Sequence, residues 1–129
     1  GQHRRELFRL TGLEVQEGQA RRLLNDIRAF RAHLEQKSGG QVPETFAAHR
    51  WLAEIYQLVV DAIPADLAGR LAPAEVFHEV LEHRWFLSEK AKRDVGTAEA
   101  AESYFRNVLP RTPEEVTTPS VIAVRSRAR

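Results

Sequence analysis

Two histidines, two glutamates, an arginine and a tryptophan crowd one short stretch of the chain, FHEVLEHRWF, from Phe77 to Phe86. Imidazoles and carboxylates bind divalent metals and pass protons near neutral pH, so the stretch raises three chemistries: a metal site, an acid–base pair, or a hydrogen-bonded helix face. A helical zinc protease needs histidines at i and i+4 with glutamate after the first, and the inverted form needs H-x-x-E-H. Neither spacing occurs here. His78 and His83 are five apart, about 140° around an α-helix, and a regular helix does not let both address one ion. A spacing of four joins His78 to Glu82 and Glu79 to His83. Either pair would be half of a site completed by Glu75, by His49 or by a carboxylate of another helix. Di-iron bundles use Glu-x-x-His instead, a spacing absent from Phe77 to Phe86. The favoured reading is no metal and no cofactor, with these groups hydrogen-bonding neighbouring helices or facing a partner. Arg84 beside Trp85 is a pairing enriched at interface hot spots, although a tryptophan at helical spacing is also ordinary core. Phe77, His78, Glu79, Glu82, His83, Arg84 and Trp85 are thus the candidate binding or interface residues.

Other catalytic constellations fail on spacing. Serines stand at 38, 88, 103, 120 and 126, none in a Gly-x-Ser-x-Gly elbow. Gly39-Gly40 is not followed by Lys and Ser or Thr at the distance a phosphate-cradling loop requires, and the kinase catalytic-loop and metal-binding aspartate motifs are missing. No catalytic residue is assigned, and the chain by itself is expected not to be an enzyme. Arg21, Arg22, Arg28 and Arg31, with Phe30 between them, suggest contacts to nucleic-acid phosphates. Asp26 and Glu35 dilute that charge and the spaced leucines look like core, so nucleic acid is the weaker reading.

The elements that must hold these residues read as helices. Leu7 and Leu10, ending at Gly12, form a short leading helix. Ala20, Leu23, Leu24, Ile27, Phe30 and Leu34 recur at threes and fours and predict the longest helix, from Val15 to about Lys37. After Gly39-Gly40, Pro43 suits a helix start, and Leu52, Ile55, Tyr56, Val59 and Ile63 make a second stripe that stops at Pro64. Pro73 opens the helix bearing the His/Glu stretch, with Val76, Phe77, Val80, Leu81, Arg84, Leu87 and Ala91 near one broad face. Gly96 is expected to stop it and Thr97 to cap a last helix whose Ala101, Phe105 and Val108 point one way. Beyond Pro110 no period survives, and a flexible Pro-, Thr- and Arg-containing tail is expected over 111–129. Its short apolar run SVIAV is able to dock in a groove that offers itself. The fold class is all-α, an irregular bundle of four to five helices over residues 1–110 with an extended or disordered C-terminal tail.

Composition narrows the setting. One domain suits 129 residues, 43% of them hydrophobic and 29% charged. A net charge of +1 makes a poor case for polyanion binding by the whole surface. There is no apolar run long enough to span a bilayer, no apolar core of a signal peptide and no cysteine, which together favour the cytoplasm. Methionine is also absent and the chain starts at Gly1, so it is expected to be part of something larger. Arginine far outnumbers lysine, which stands only at 37, 90 and 92, as in products of GC-rich genomes.

HRRELFRLTGLEVQEGQARRLLNDIRAFRAHL and PAEVFHEVLEHRWFLSEKAKRDVGTAEAAESYFRNVLP together resemble the domain of unknown function DUF4032, found at the C-terminus of actinobacterial proteins. The two blocks cover most of positions 3 to 110, and one departure is Gly18, where the family pattern tends to carry asparagine. The resemblance implies a companion segment similar to lipopolysaccharide kinases and other kinase-like folds. It makes that companion the expected partner, with another protein or a second copy as further partners, and implies a non-catalytic regulatory or interaction role. In a rival reading the helix carrying His78 and Glu82 completes the companion's active or metal site.

Overall fold

Apolar residues three and four apart share one side of an α-helix, and each such stripe in this chain lies on a helix in the computed structural model, which describes residues 1–113. Helix α1 (Gln2–Thr11) precedes the long α2 (Glu17–Ser38). Next come α3 (Glu44–Trp51), a π-helical turn (Leu52–Tyr56) and α4 (Gln57–Asp61), one continuous rod of three parts. Helices α5 (Pro73–Ala91) and α6 (Gly96–Asn107) complete a bundle of five rods, with 3-10 turns at Ala65–Leu67 and Leu109–Arg111. Among the described residues there is no strand, and the protein is all-α.

Local chemistry sets the ends. Gly12 and Gly39 close α1 and α2 in the left-handed conformation, each at φ 78°, where a β-carbon would be strained. Glu17, in the first turn of α2, caps α1 instead of its own helix. Its carboxylate accepts the N–H groups of His3 (3.1 Å) and Arg4 (3.0 Å) and bonds the His3 ring. Desolvation pushes that carboxyl up, but these hydrogen bonds outweigh it and hold the group down at about 2. Between α2 and α3, Val42 is held by both backbone groups: its carbonyl accepts from Arg31 Nε (2.6 Å) and its N–H donates to Glu35 (3.0 Å).

The π turn decides what the third rod buries. Trp51 and Tyr56 are five apart and would point about 140° from one another on an α-helix. A turn whose Gln57 N–H reaches the Leu52 carbonyl nearly closes on the fifth residue instead. Both rings consequently meet the same partner: Phe77 lies 5.3 Å from Trp51, edge on, and 5.3 Å from Tyr56. Around this aromatic cluster pack Leu7 and Leu10 of α1, Leu23, Leu24 and Ile27 of α2, Val76 and Val80 of α5, and Tyr104 of α6, all buried.

Two boundaries differ from expectation. Helix α5 ends at Ala91, before Gly96, because Lys92 turns left-handed at φ 58° and bonds the Ser88 carbonyl. Ala91, expected on the buried face, is exposed. Thr97 does not cap α6; its hydroxyl accepts from Arg84 Nη1 at 2.8 Å, and the entry to α6 is held instead by Ser88 Oγ on Val95 N–H and Asp94 on Gly96 N–H. At the other end Arg111 closes a 3-10 turn and Arg70 donates to the Pro110 and Thr112 carbonyls, so order continues past position 110. Of the tail expected over 111–129, the part from 114 onward lies outside the described residues.

Lys92 is the one non-glycine residue at positive φ among the described residues, a conformation that costs an L-residue roughly 1–2 kcal/mol. Glycine removes that strain while adding unfolded-chain entropy. Lys92→Gly should therefore raise stability by about 0.5–1 kcal/mol in urea unfolding, and a loss of stability would contradict the strain.

Candidate functional site

Helix α5 carries the His/Glu stretch through the middle of the bundle, so its residues are distributed around three neighbours. Phe77 is fully buried in the aromatic cluster. Glu79 and His83, one turn apart, both address α6: Glu79 accepts the Tyr104 hydroxyl, and His83 Nε2 lies 2.8 Å from Ser103 Oγ. Desolvation, with the adjoining Glu79 carboxylate, pushes the Tyr104 hydroxyl far above its ordinary value. Tyr104 therefore stays protonated and donates. His83 also stacks on Phe86 at 6.2 Å, and the Lys90 ammonium sits over that same Phe86 ring at 5.2 Å.

The opposite side of α5 faces α2. His78 is buried there, with Nδ1 4.0 Å from Glu82 and, among the described residues, no hydrogen-bond partner for Nε2. Desolvation lowers its pKa; Glu82 and Glu79 oppose this and Arg22 reinforces it. A neutral, buried imidazole is the result. Beside it Arg22 Nη1 meets Glu82 at 2.5 Å, an exposed pair that holds little energy.

Deeper between the helices lies a polar junction that periodicity did not reveal. Asp26, with a side chain only 10% exposed, accepts the Trp51 indole N–H (2.8 Å) and Arg84 Nη2 (3.2 Å). Arg84 then reaches Thr97 at the start of α6. One carboxylate thus links α2, α3, α5 and α6. Asp26, Trp51 and Thr97 were not among the candidates. The available signal was weak: an acidic residue beside the leucines of a core-facing helix, with a tryptophan elsewhere in need of an acceptor.

Asp26 and Arg84 of this junction also line a cleft between α2 and α5, of about 570 Å³, with Arg22, Asn25, Ala29, Leu81, Glu82 and Trp85. Trp85 forms one wall and is 67% exposed, while the indole of the core is that of Trp51. The cleft combines an open aromatic plane, small apolar residues and two internally neutralised ion pairs. Three of the four arginines of the nucleic-acid reading hold groups of this chain: Arg22 holds Glu82, Arg28 bonds Asn25 and Arg31 holds Val42, while Arg21 is exposed.

Metal chemistry gains no support from the arrangement. Glu75 does stand three before His78, a Glu-x-x-His spacing that begins just upstream of Phe77, yet among the described residues no three His, Asp or Glu side chains converge. His78 and His83 point to different helices, as their spacing on a regular α-helix requires.

A family model described as "Domain of unknown function (DUF4032)" matches residues 1–109. No curated protein and no solved structure matches the chain.

Removing the central carboxylate leaves an indole N–H and a guanidinium facing a half-dry junction. Asp26→Ala should cost about 2–3 kcal/mol in chemical unfolding; a cost below roughly 0.5 kcal/mol would mean that water replaces it freely. The lowered pKa of His78 sets a pH dependence. The unfolded chain takes up this proton near 6.5 and the folded protein only at lower pH, so the contribution is complete above about 6.5 and lost as pH falls through the folded value. Stability should drop between pH 7.5 and 5.5, and less steeply in His78→Leu. Equal slopes in the two proteins would remove His78 as a cause.

Proposed function

The chain belongs to the DUF4032 family of domains of unknown function, and from that premise we propose that it is a non-catalytic protein-interaction module of an actinobacterial protein. In this reading it serves a kinase-like companion segment in the cytoplasm. The observation that carries the proposal is Trp85, a tryptophan 67% exposed beside a formed cleft. Exposed indoles at the edge of a preformed concavity act as interface anchors, because they bury a large rigid area at small conformational cost. The Arg22–Glu82 and Asp26–Arg84 pairs that flank it set orientation, since a partner that misaligns them leaves charges unpaired. No helix of the described residues is long and apolar enough to cross a membrane.

One observation favours a second reading, in which α5 completes the companion's active site: the unpartnered Nε2 of buried His78. That reading requires the packing around His78 to open, because the imidazole is buried. Docking at Trp85 requires no such opening.

Titration calorimetry of the chain against its expressed kinase-like companion separates the two. Trp85→Ala should weaken association at least tenfold, about 1.4 kcal/mol, with the thermal midpoint unchanged. If Trp85→Ala binds as the parent does while His78→Ala abolishes the companion's turnover with the fold intact, the interaction reading fails and site completion replaces it.

A further inference from the structure

A second concavity lies on the far side of the bundle, between the third rod and α6. Ile55, Leu58 and Ala62 line one side and Ala98, Ala101 and Phe105 the other, enclosing about 490 Å³. Leu58 is 65% exposed there, and Ala62 and Ala98 are exposed as well. Small alanines opposite branched side chains leave room for aliphatic groups to enter from outside. Glu54 and Glu102 stand on its two rims, Glu54 already paired with Arg50 and Glu102 exposed. The groove is therefore apolar inside and acidic at its edges.

We propose that this groove is occupied by the chain's own C-terminal segment, with Val121, Ile122 and Val124 entering it and the arginines that follow meeting its acidic rim. Three features of the molecule select that occupant. Its composition is complementary: Ser120-Val121-Ile122-Ala123-Val124 is the apolar run of the segment, and Arg125, Arg127 and Arg129 come directly after it. Its attachment is fixed: Arg70 holds the Pro110 and Thr112 carbonyls, so the segment departs from the end of α6, the helix that forms one wall. Its length suffices, since the eight residue-to-residue steps from Pro113 to Val121 span up to roughly 27 Å and all of α6 is only about 18 Å long. A tether of this kind supplies the segment at an effective concentration near the millimolar range. Contacts too weak to hold a free peptide then hold this one.

The chain has no cysteine, which makes disulfide trapping a clean test. Leu58→Cys/Ile122→Cys and Ala98→Cys/Ile122→Cys should each form an intrachain disulfide under mild oxidation at least tenfold faster than Phe8→Cys/Ile122→Cys. The control cysteine sits at an exposed position of α1 outside the groove. Adding Glu102→Arg should slow closure several-fold. Equal rates for groove and control pairs would overturn the proposal, and so would disulfides that form chiefly between two chains, which would assign the groove to a second copy's segment.

Discussion

A carboxylate set among packed helices is tolerable only when its charge is met, and Asp26 is met from two directions by the Trp51 indole N–H and the Arg84 guanidinium. Much of the bundle's arrangement depends on this pairing. Trp51 must present its nitrogen to α2 while its ring packs edge on against Phe77, which fixes the rotation of the third rod. Arg84 must lie across the α2–α5 seam with its second nitrogen on Thr97, which fixes where α6 begins. Apolar burial supplies most of the driving force in such a bundle but has little directionality. The hydrogen bonds at Asp26 add the direction, because a rotated helix would leave a charge unpaired.

The same junction separates the inert part of α5 from the part open to a partner. On one side Glu79 and His83 spend their polarity on Tyr104 and Ser103 of α6. Across the helix, Glu82 is held by Arg22 and lies 4.0 Å from the buried His78. Trp85 and Phe86, placed between these two faces, are left exposed. A busy-looking stretch of ten residues thereby resolves into core, interhelix bonds and one aromatic surface, with no cluster able to hold a metal among the described residues.

Helix existence and most boundaries were legible because they are local properties. Stripes at threes and fours, Gly12 and Gly39 after the last turn, and Pro73 at the first all act within a few residues of themselves. Where reading failed, a distant group had intervened. Thr97 looked like a cap, yet Arg84 had claimed its hydroxyl from thirteen residues away. Glu17 is a first-turn residue of α2, yet its carboxylate serves the N-terminus of α1, a role that no local pattern announces. Lys92 ended α5 early, in a conformation that glycine usually takes.

One spacing shows the division most clearly. His78 and His83 are five apart, and so are Trp51 and Tyr56. On the regular α5 the first pair diverges to different neighbours, as helical geometry dictates from sequence alone. On the third rod a π turn brings the second pair onto one phenylalanine. By itself the sequence determined an all-helical chain of the DUF4032 type, with its stripes and breaks, because those follow from backbone preference and periodic apolarity. Only the tertiary structure decided which rod takes a π turn, which carboxylate joins the helices and which tryptophan is left outside, because each depends on packing between residues far apart in the chain.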